Sequence, residues 1–235
     1  MAGIAAEGVS KSYGRGKAAF TALTDIHLQL GKEQIIALVG ESGCGKSTLA
    51  RLLVGLESPD QGKILLDGED TSGWSYRKWR SRRGKIQAVF QDASGTLNPA
   101  LSVYRNVESA LVNLTALNSG ERRERIEELM DLTGMRPALL KVPTRQLSGG
   151  EQRRMSLLRA LAIRPDYLIL DEVISGLDKI SADAVLRVLE DYQQRFRCGC
   201  LFITHDKDSA YRLADRIVEM SGGRILRYAE RVKEP

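Results

Sequence analysis

A glycine-rich stretch at residues 40–48 has the residue types and the spacing needed to bind a chain of phosphate groups. It matches the pattern G-x-x-x-x-G-K-[ST] with Gly40, Glu41, Ser42, Gly43, Cys44, Gly45, Lys46, Ser47 and Thr48. Because glycine lacks a Cβ atom, we expect Gly40, Gly43 and Gly45 to adopt positive φ angles, so that consecutive N–H groups point at a phosphate. The alternative is an accidental glycine-rich turn.

The residues on either side of this stretch favour the phosphate-binding interpretation. Residues 35–39 are an apolar run that predicts a buried parallel strand, and residues 49–54 predict a helix whose positive end faces the phosphates. In that arrangement Lys46 is expected at the β- and γ-phosphates, the Ser47 hydroxyl at a Mg²⁺ ion, and Thr48 at the α-phosphate side.

Two adjacent acidic residues follow another apolar run. Residues 167–170 predict a strand, and Asp171 and Glu172 come directly after it. An aspartate at this point can hold Mg²⁺, and a glutamate after it can orient and deprotonate water. The alternative is a pair of exposed charges, but the four apolar residues before them favour a central strand. We therefore predict a catalytic pair.

Two further polar residues are predicted at the same edge of the sheet. Gln91 follows the strand predicted at residues 85–90, and His205 follows the strand predicted at residues 200–204. Because ligands bind beyond the carboxyl ends of strands in open α/β sheets, Gln91 is expected beside a nucleotide and its metal, unless it is an ordinary loop amide. His205 can hydrogen-bond a γ-phosphate or hold Glu172.

A second potential anion site lies at residues 148–151. Ser148, followed three residues later by Glu151, is a capping box, which predicts a helix that begins here and continues to residue 163. Gly149 and Gly150 leave the first N–H groups of that helix uncovered, so an anion can bind there. The alternative is an ordinary helix start.

The remaining segments predict an α/β chain with a helical insertion between residues 98 and 143. Strands are expected at residues 3–10, 24–30, 64–66, 216–220 and 224–228, with loops or turns at residues 11–14, 60–63, 67–68 and 221–223. Helices are expected at residues 103–114, 121–133, 181–196 and 208–214.

The composition is that of a globular protein, with 43% hydrophobic and 28% charged residues among 235. Its apolar runs are too short to cross a bilayer and residues 1–10 lack the features of a signal peptide, so we expect a cytoplasmic protein. The three cysteines fit neither a disulfide framework nor a zinc site, so buried or half-buried thiols are expected.

The net charge of +5 arises from basic residues that are spread among acidic ones, which argues against a nucleic-acid partner. The densest basic run, residues 77–83, predicts a solvated helix face. Contact with a membrane-embedded partner or with anionic headgroups is the alternative.

Together, these motifs resemble those of the nucleotide-binding subunits of ABC transporters, and the resemblance covers nearly the whole chain. Residues 40–48 are similar to the Walker A motif and residues 167–172 to Walker B. Other positions are similar to the Q-loop at Gln91, the signature at residues 147–151, the D-loop at residues 175–178, the switch histidine at His205 and the adenine-stacking aromatic at Tyr13.

The resemblance implies an α/β fold: a P-loop NTPase (RecA-like) core with an antiparallel β-subdomain and a helical subdomain, of the ABC ATPase type. It implies a single ABC ATPase domain over residues 1–235. Residues 1–92 and 144–235 would form the core with the β-subdomain, and residues 93–143 the helical subdomain. The protein would bind and hydrolyse ATP with Mg²⁺.

The resemblance also implies roles for individual residues. Glu172, His205 and Lys46 are expected to be catalytic. The metal is expected to be held by Ser47, Gln91 and Asp171. Nucleotide contacts are expected from Tyr13, Gly40, Glu41, Ser42, Gly43, Cys44, Gly45, Lys46, Ser47, Thr48, Gln91, Ser148, Gly149, Gly150, Glu151 and Asp178.

Partners follow from the same resemblance. Two ATPase subunits, identical or homologous, would close head to tail with ATP between the Walker motifs of one chain and the signature of the other. Gln91 would couple the nucleotide to transmembrane permease subunits, and a solute-binding protein would be an indirect partner. The chain would lie in the cytoplasm, peripherally on the inner face of the cell membrane, without nucleic acid.

A finer resemblance is to the peptide and nickel importer subgroup, in particular its nickel-import ATP-binding subunit. Residues 47–57 and 90–92, together with residues 97–99, carry it. It implies nickel or a metal chelate as cargo, with dipeptides or oligopeptides as the alternative and a soluble non-transport ABC ATPase as a more distant one. Val173 and Ile174 replace the proline and threonine that most members place after the glutamate, which raises the question of what makes that loop rigid.

Overall fold

The computed structural model describes residues 3–14, 16, 19–91 and 96–230. The strands are β1 (Gly3–Tyr13), β2 (Phe20–Gly31), β3 (Ile35–Val39), β4 (Gln61–Leu66), β5 (Glu69–Asp70), β6 (Ile86–Val89), β7 (Tyr167–Asp171), β8 (Gly199–Thr204), β9 (Arg216–Ser221) and β10 (Arg224–Glu230). The α-helices are α1 (Lys46–Leu53), α2 (Tyr76–Arg82), α3 (Val103–Leu114), α4 (Ser119–Leu132), α5 (Gly149–Ala162), α6 (Lys179–Phe196) and α7 (Lys207–Leu213).

A six-stranded sheet in the order β10-β9-β3-β8-β7-β6 positions the site. Its strands run parallel except for β10, which pairs antiparallel with β9 at one edge. Strands β3, β7 and β8 are buried along their whole length, as expected for a parallel sheet with both faces covered. Val39 pairs with Thr204 and Asp171 with Ile203, so the carboxyl ends of these three strands meet at one edge.

A four-stranded antiparallel sheet, in the order β2-β1-β4-β5, packs on one side of the six-stranded sheet. The hydrophobic core between the two sheets contains residues of α1, such as Leu49 and Leu52, beside Ile36 and Leu38 of β3. The opposite face of the six-stranded sheet packs against α5, α6 and the inserted helices α3 and α4. Helix α1, which begins at the end of the glycine-rich stretch, is therefore enclosed between the two sheets.

Two predictions for the antiparallel sheet were wrong. The loop predicted at residues 11–14 is strand up to Tyr13, because Ser12 and Tyr13 pair with Thr21 and Phe20 of β2. The turn predicted at residues 60–63 is strand from Gln61 onward, where β4 pairs with β1 across a register shift and Gly62 has a φ of +75°. A bulged strand that contains glycine has the local sequence of a turn.

The helical elements follow their caps closely. Ser102 caps α3, and Asn118 forms a capping box with Glu121, so α4 begins at Ser119, two residues before the predicted start. The basic run forms α2, in which no residue is buried, in agreement with the predicted solvated face.

Among the described residues, no helix combines the length and the apolar character needed to cross a membrane. The three cysteines are buried free thiols, as expected.

Candidate active site

The phosphate-loop sequence connects β3 to α1 at the carboxyl edge of the sheet. Gly43 and Gly45 adopt the expected positive φ angles, +79° and +107°. The same expectation was wrong for Gly40, which does not adopt a positive φ. A side chain is excluded there for another reason, because a Cβ atom would lie 2.1 Å from the backbone oxygen of Met220 in β9. Close packing against β9 therefore requires a glycine at position 40.

Lys46 begins α1 and folds back over the loop. Its side chain is buried, and Nζ donates hydrogen bonds to the backbone oxygens of Gly40 and Glu41, both at 2.8 Å. These bonds satisfy a buried ammonium group, which would otherwise be costly. They also keep the positive charge at the mouth of the loop, where it is close to the N–H groups that precede and begin α1.

The carboxylate of Asp171, at the end of β7, faces Ser47 at the start of α1. Burial raises the pKa of Asp171, while a hydrogen bond with the Ser47 side chain opposes that shift. Oδ1 of Asp171 is buried and has no hydrogen-bond partner in the part of the chain that the structure describes. An unpartnered carboxylate oxygen beside a hydroxyl is the oxygen-rich environment that Mg²⁺ prefers. These residues therefore fit a magnesium ion.

Glu172 and His205 are in contact across the ends of two neighbouring strands. The Nδ1 atom of His205 lies 2.9 Å from Oε2 of Glu172. The glutamate backbone has a φ of +54°, a left-handed conformation that costs a residue with a Cβ on the order of 1–3 kcal/mol. Its N–H donates to the backbone oxygen of Ile203 at 3.0 Å, so pairing with β8 holds this conformation.

A cavity of about 620 Å³ connects these groups. Its described lining is made of Phe20, Ala22, Ser42, Gly43, Gly45, Lys46, Ser47, Thr48, Gln91, Glu172, Ser175 and His205. The structure thus brings the phosphate loop, the glutamine, the glutamate and the histidine around one space, although they are widely separated in sequence. A group with several phosphates, a metal and a water molecule can be bound there together.

The signature residues and Asp178 cap two different helices, α5 and α6. Ser148 caps α5, and its Oγ accepts from the N–H of Glu151 while the glutamate carboxylate accepts from the N–H of Ser148, which is the predicted capping box. A Cβ atom on Gly149 or Gly150 would meet nothing within 4 Å, so the helix end is open. Asp178 caps α6 by accepting from the N–H of Ser181. None of these residues is in the described lining of the 620 Å³ cavity.

Comparison with known proteins agrees with this geometry. The family model described as "ABC transporter" matches residues 23–175. This chain belongs to the ABC transporter family. As an ABC ATPase it is 41% identical over 204 residues to the nickel import ATP-binding protein NikE of Escherichia coli (strain K12), an alignment that covers 87% of this chain and 76% of the relative.

The three-dimensional structure of this chain is also similar to solved structures of ABC ATPases. The dimeric MJ0796 cassette, described as a bacterial ABC transporter cassette, superposes with a TM-score of 0.89 at 28% identity and covers 97% of this chain and 98% of its own. CbiO1 of Clostridium perfringens, part of the transporter complex cbiONQ, gives a TM-score of 0.84 at 30% identity over 97% of this chain and 88% of its own. The predicted fold class is confirmed, and the protein is an enzyme that binds and hydrolyses ATP.

Phe20 and Ala22 line the cavity of this ABC ATPase, although neither belongs to a sequence motif. Phe20, at the start of β2, is 60% exposed, and Ala22 lies two residues further along the same strand. Tyr13, the predicted adenine-stacking aromatic, is half-buried, and its hydroxyl donates to Glu57. Its ring centroid is 5.6 Å from that of Phe20. The sequence offered one signal for Phe20, an aromatic residue at the start of a strand. Its position beside the cavity follows only from the pairing of β1 with β2.

Proposed function

We propose that this chain is the ATP-binding and hydrolysing subunit that powers an ABC importer for nickel or a metal chelate. The observation that carries the cargo proposal is the 41% identity to a protein named for nickel import, over 87% of this chain. The residues of the cavity supply the ATPase part of the proposal. In the proposed division of the domain, residues 1–92 and 144–235 are the core with its β-subdomain, and residues 93–143 are the helical subdomain.

Phosphate binding is assigned to the loop between β3 and α1. Its N–H groups and the amino end of α1 stabilise negative charge on the phosphates. Lys46 exchanges its bonds to the backbone oxygens of Gly40 and Glu41 for bonds to the β- and γ-phosphates. This exchange needs only a movement of the Lys46 side chain, because its present partners are backbone oxygens of the same loop.

Mg²⁺ is assigned to Ser47, Asp171 and Gln91. When bound, the ion neutralises charge that develops on the transferred phosphoryl group. The Ser47 hydroxyl and the Asp171 carboxylate already face one another, and Oδ1 of that carboxylate has no hydrogen-bond partner among the described residues. Gln91 lines the same cavity just after the end of β6. Binding of nucleotide and metal can therefore change the position of Gln91 and of the residues that follow it.

Catalysis is assigned to Glu172 with His205. The Glu172 carboxylate, 13% exposed, accepts a hydrogen bond from the attacking water and polarises it. His205 holds Oε2 of that carboxylate through Nδ1 and presents its other nitrogen to the γ-phosphate. Pairing of β7 with β8 fixes the distance between the two side chains.

A second subunit is required to complete the site. The signature residues Ser148, Gly149, Gly150 and Glu151 offer an open helix end, yet the described lining of the cavity does not include them. We propose that two ATPase subunits, identical or homologous, associate head to tail so that this helix end contacts the γ-phosphate of the partner's nucleotide. The dimeric state of the similar MJ0796 cassette supports this arrangement. Asp178 and Tyr13 keep their predicted nucleotide contacts in the same proposal.

The remaining partners follow from the importer proposal. Transmembrane permease subunits bind near Gln91, a solute-binding protein acts indirectly, and nucleic acid has no role. The chain is then peripheral on the cytoplasmic face of the cell membrane. A dipeptide or oligopeptide importer is the second candidate, because residues 90–92 and 97–99 resemble peptide importers as well as nickel importers.

Replacing Glu172 by glutamine tests the ATPase assignment. We expect Glu172→Gln to bind a fluorescent ATP analogue with wild-type affinity and to lose at least 100-fold in turnover, because an amide is a poor general base. Glu127→Gln is the matched control, since Glu127 is an exposed glutamate of α4 that pairs with Arg123 one helical turn away. Undiminished hydrolysis by Glu172→Gln excludes the assigned role.

Uptake measurements test the cargo. Cells that lack this gene, complemented with wild type or Glu172→Gln, are supplied with radioactive nickel or with a labelled dipeptide. Nickel uptake that depends on the wild-type chain supports the proposal. Dipeptide uptake with unchanged nickel uptake supports the second candidate instead.

A further inference from the structure

We propose that Arg153 is a positioning residue that couples the two nucleotide sites to which this chain contributes, an inference that rests on the proposed function. Its guanidinium donates a hydrogen bond from Nη1 to the backbone oxygen of Ser175. Arg153 belongs to α5, the helix that begins with the signature residues, and Ser175 follows the proposed catalytic Glu172. One side chain therefore joins the signature helix to the loop behind the catalytic carboxylate.

The loop after Glu172 lacks the proline and threonine that the family resemblance leads us to expect, and the structure shows what holds it instead. Val173 and Ile174 are 1% and 6% exposed and pack into the core that contains α5 and α6. The N–H of Ser175 donates to the Glu172 oxygen at 3.1 Å, which closes a tight turn. The bond from Arg153 to the Ser175 oxygen fixes the far side of that turn. Two apolar anchors and one charged hydrogen bond thus replace the conformational restriction of a proline.

The helix α5 transmits displacement from its first turn to Arg153. Ser148 caps the helix, and Arg153 lies in its second turn, four positions after Gly149 and on the same face. The helix contains no proline, and both of its glycines are at its start, so nothing in its sequence kinks it between the signature residues and Arg153. An anion bound at the N–H groups of Gly149 and Gly150 therefore shifts the guanidinium and, through it, the oxygen of Ser175.

This link connects two different nucleotides. In the proposed dimer the signature residues of this chain contact ATP held by the partner, whereas Glu172 acts on ATP held by this chain. Arg153 therefore makes the position of Glu172 depend on the occupancy of the opposite site. The expected consequence is cooperative hydrolysis, in which the second ATP activates the first site.

Arg153→Gln and Arg153→Lys test the link, with Arg123→Gln as the control. Arg123 is an exposed arginine of α4, 71% accessible, whose loss removes the same charge far from the loop. We expect Arg153→Gln to lower kcat about tenfold, the effect of one lost charged hydrogen bond, and to reduce the Hill coefficient for ATP to 1. Affinity for a fluorescent ATP analogue should stay within about twofold. Arg153→Lys should recover part of kcat and of the cooperativity, because lysine can still donate to the Ser175 oxygen.

Hydrogen exchange separates this inference from the proposed function. In Arg153→Gln we expect the amides of Gly176 and Leu177 to exchange about tenfold faster, while those of the second half of α5 stay as in the wild type. That measurement decides the link even if the wild-type chain does not hydrolyse ATP, a result that would contradict the proposed function alone. Wild-type kcat, cooperativity and exchange in Arg153→Gln overturn the inference. Equally faster exchange throughout α5 and α6 also overturns it, since Arg153 would then be only a structural residue.

Discussion

The Nδ1 atom of His205 lies 2.9 Å from Oε2 of Glu172, and the contact is a direct product of the parallel sheet. Asp171 pairs with Ile203, so the residues that follow β7 and β8 leave the sheet side by side. The imidazole is 62% exposed, whereas the carboxylate is 13% exposed. The histidine can therefore orient the carboxylate from the open side of the cavity and still reach a second partner through Nε2.

His205→Ala should lower kcat about 100-fold because the carboxylate loses the group that orients it. Affinity for ATP should change less than about threefold. The chain supplies its own control, since its other histidine, His27, is an exposed residue of β2 that contacts Asp25. Steady-state hydrolysis by His205→Ala and His27→Ala distinguishes the two positions. Equal rates in the two variants contradict the assigned role.

Asp171→Asn should separate nucleotide binding from magnesium binding. Without the carboxylate, Mg²⁺ should no longer raise the affinity for ATP, whereas binding of the nucleotide in EDTA should remain. Titration of a fluorescent ATP analogue with and without Mg²⁺ gives both quantities. An unchanged magnesium dependence shows that another residue holds the ion.

The same aspartate gives a prediction on stability against pH. Burial raises the pKa of Asp171, so the folded chain binds its proton more tightly than the unfolded chain does. Its contribution to stability is therefore largest below the ordinary aspartate pKa and falls as the pH rises through the raised value. Asp171→Asn removes that dependence and should stabilise the nucleotide-free protein at pH 7, where the wild-type aspartate is driven towards its unfavourable buried charged form. Urea unfolding of both proteins at pH 4 and pH 7 measures the difference. If the free energy of unfolding changes equally with pH in the two proteins, the prediction is wrong.

The parts of the fold that could be predicted are those with a local signature. A few consecutive residues are enough to recognise the apolar runs of β3, β7 and β8 and the capping boxes of α4 and α5. Because parallel strands end at one edge, the proximity of Glu172 and His205 could also be predicted. The end of β1 and the start of β4 could not, because polar and glycine-containing segments become strands there only by pairing with distant residues.

The parts of the site that could not be predicted depend on tertiary contacts. Phe20 lines the cavity because β2 pairs with β1 beside the phosphate loop, and an aromatic residue at the start of a strand does not by itself indicate that position. Arg153 has the appearance of one more arginine on an amphipathic helix. Only the approach of α5 to the loop after β7 gives its guanidinium a partner at Ser175.

Phe20→Ala should weaken ATP binding about tenfold, the effect expected when a base loses one stacked ring. The phenylalanine ring is 60% exposed and lines the cavity, whereas Tyr13 packs beside it and is tied to Glu57. Tyr13→Phe keeps both rings and should bind ATP with nearly wild-type affinity. A large loss in Tyr13→Ala with no loss in Phe20→Ala would instead make Tyr13 the stacking residue, as the family resemblance implies.

Gly55→Ala should destabilise the protein through the contact between the phosphate-loop helix and the basic helix. Gly55 follows the end of α1 with a φ of +64°, and a Cβ atom there would lie 2.1 Å from the indole of Trp79 in α2. Displacing Trp79 also strains the bonds that Arg83 donates to the backbone oxygens of Val54 and Gly55.

The expected loss for Gly55→Ala is about 2 kcal/mol, because overpacking and an unfavourable φ act together. Gly73→Ala is the matched control: a Cβ atom at Gly73 meets nothing within 4 Å, so its stability should stay within about 0.5 kcal/mol of the wild type. Urea unfolding followed by tryptophan fluorescence reports on both variants, since Trp74 and Trp79 lie within or next to α2. Equal stabilities for the two alanine variants would mean that α2 can move away from the end of α1 at no cost, which would contradict the prediction.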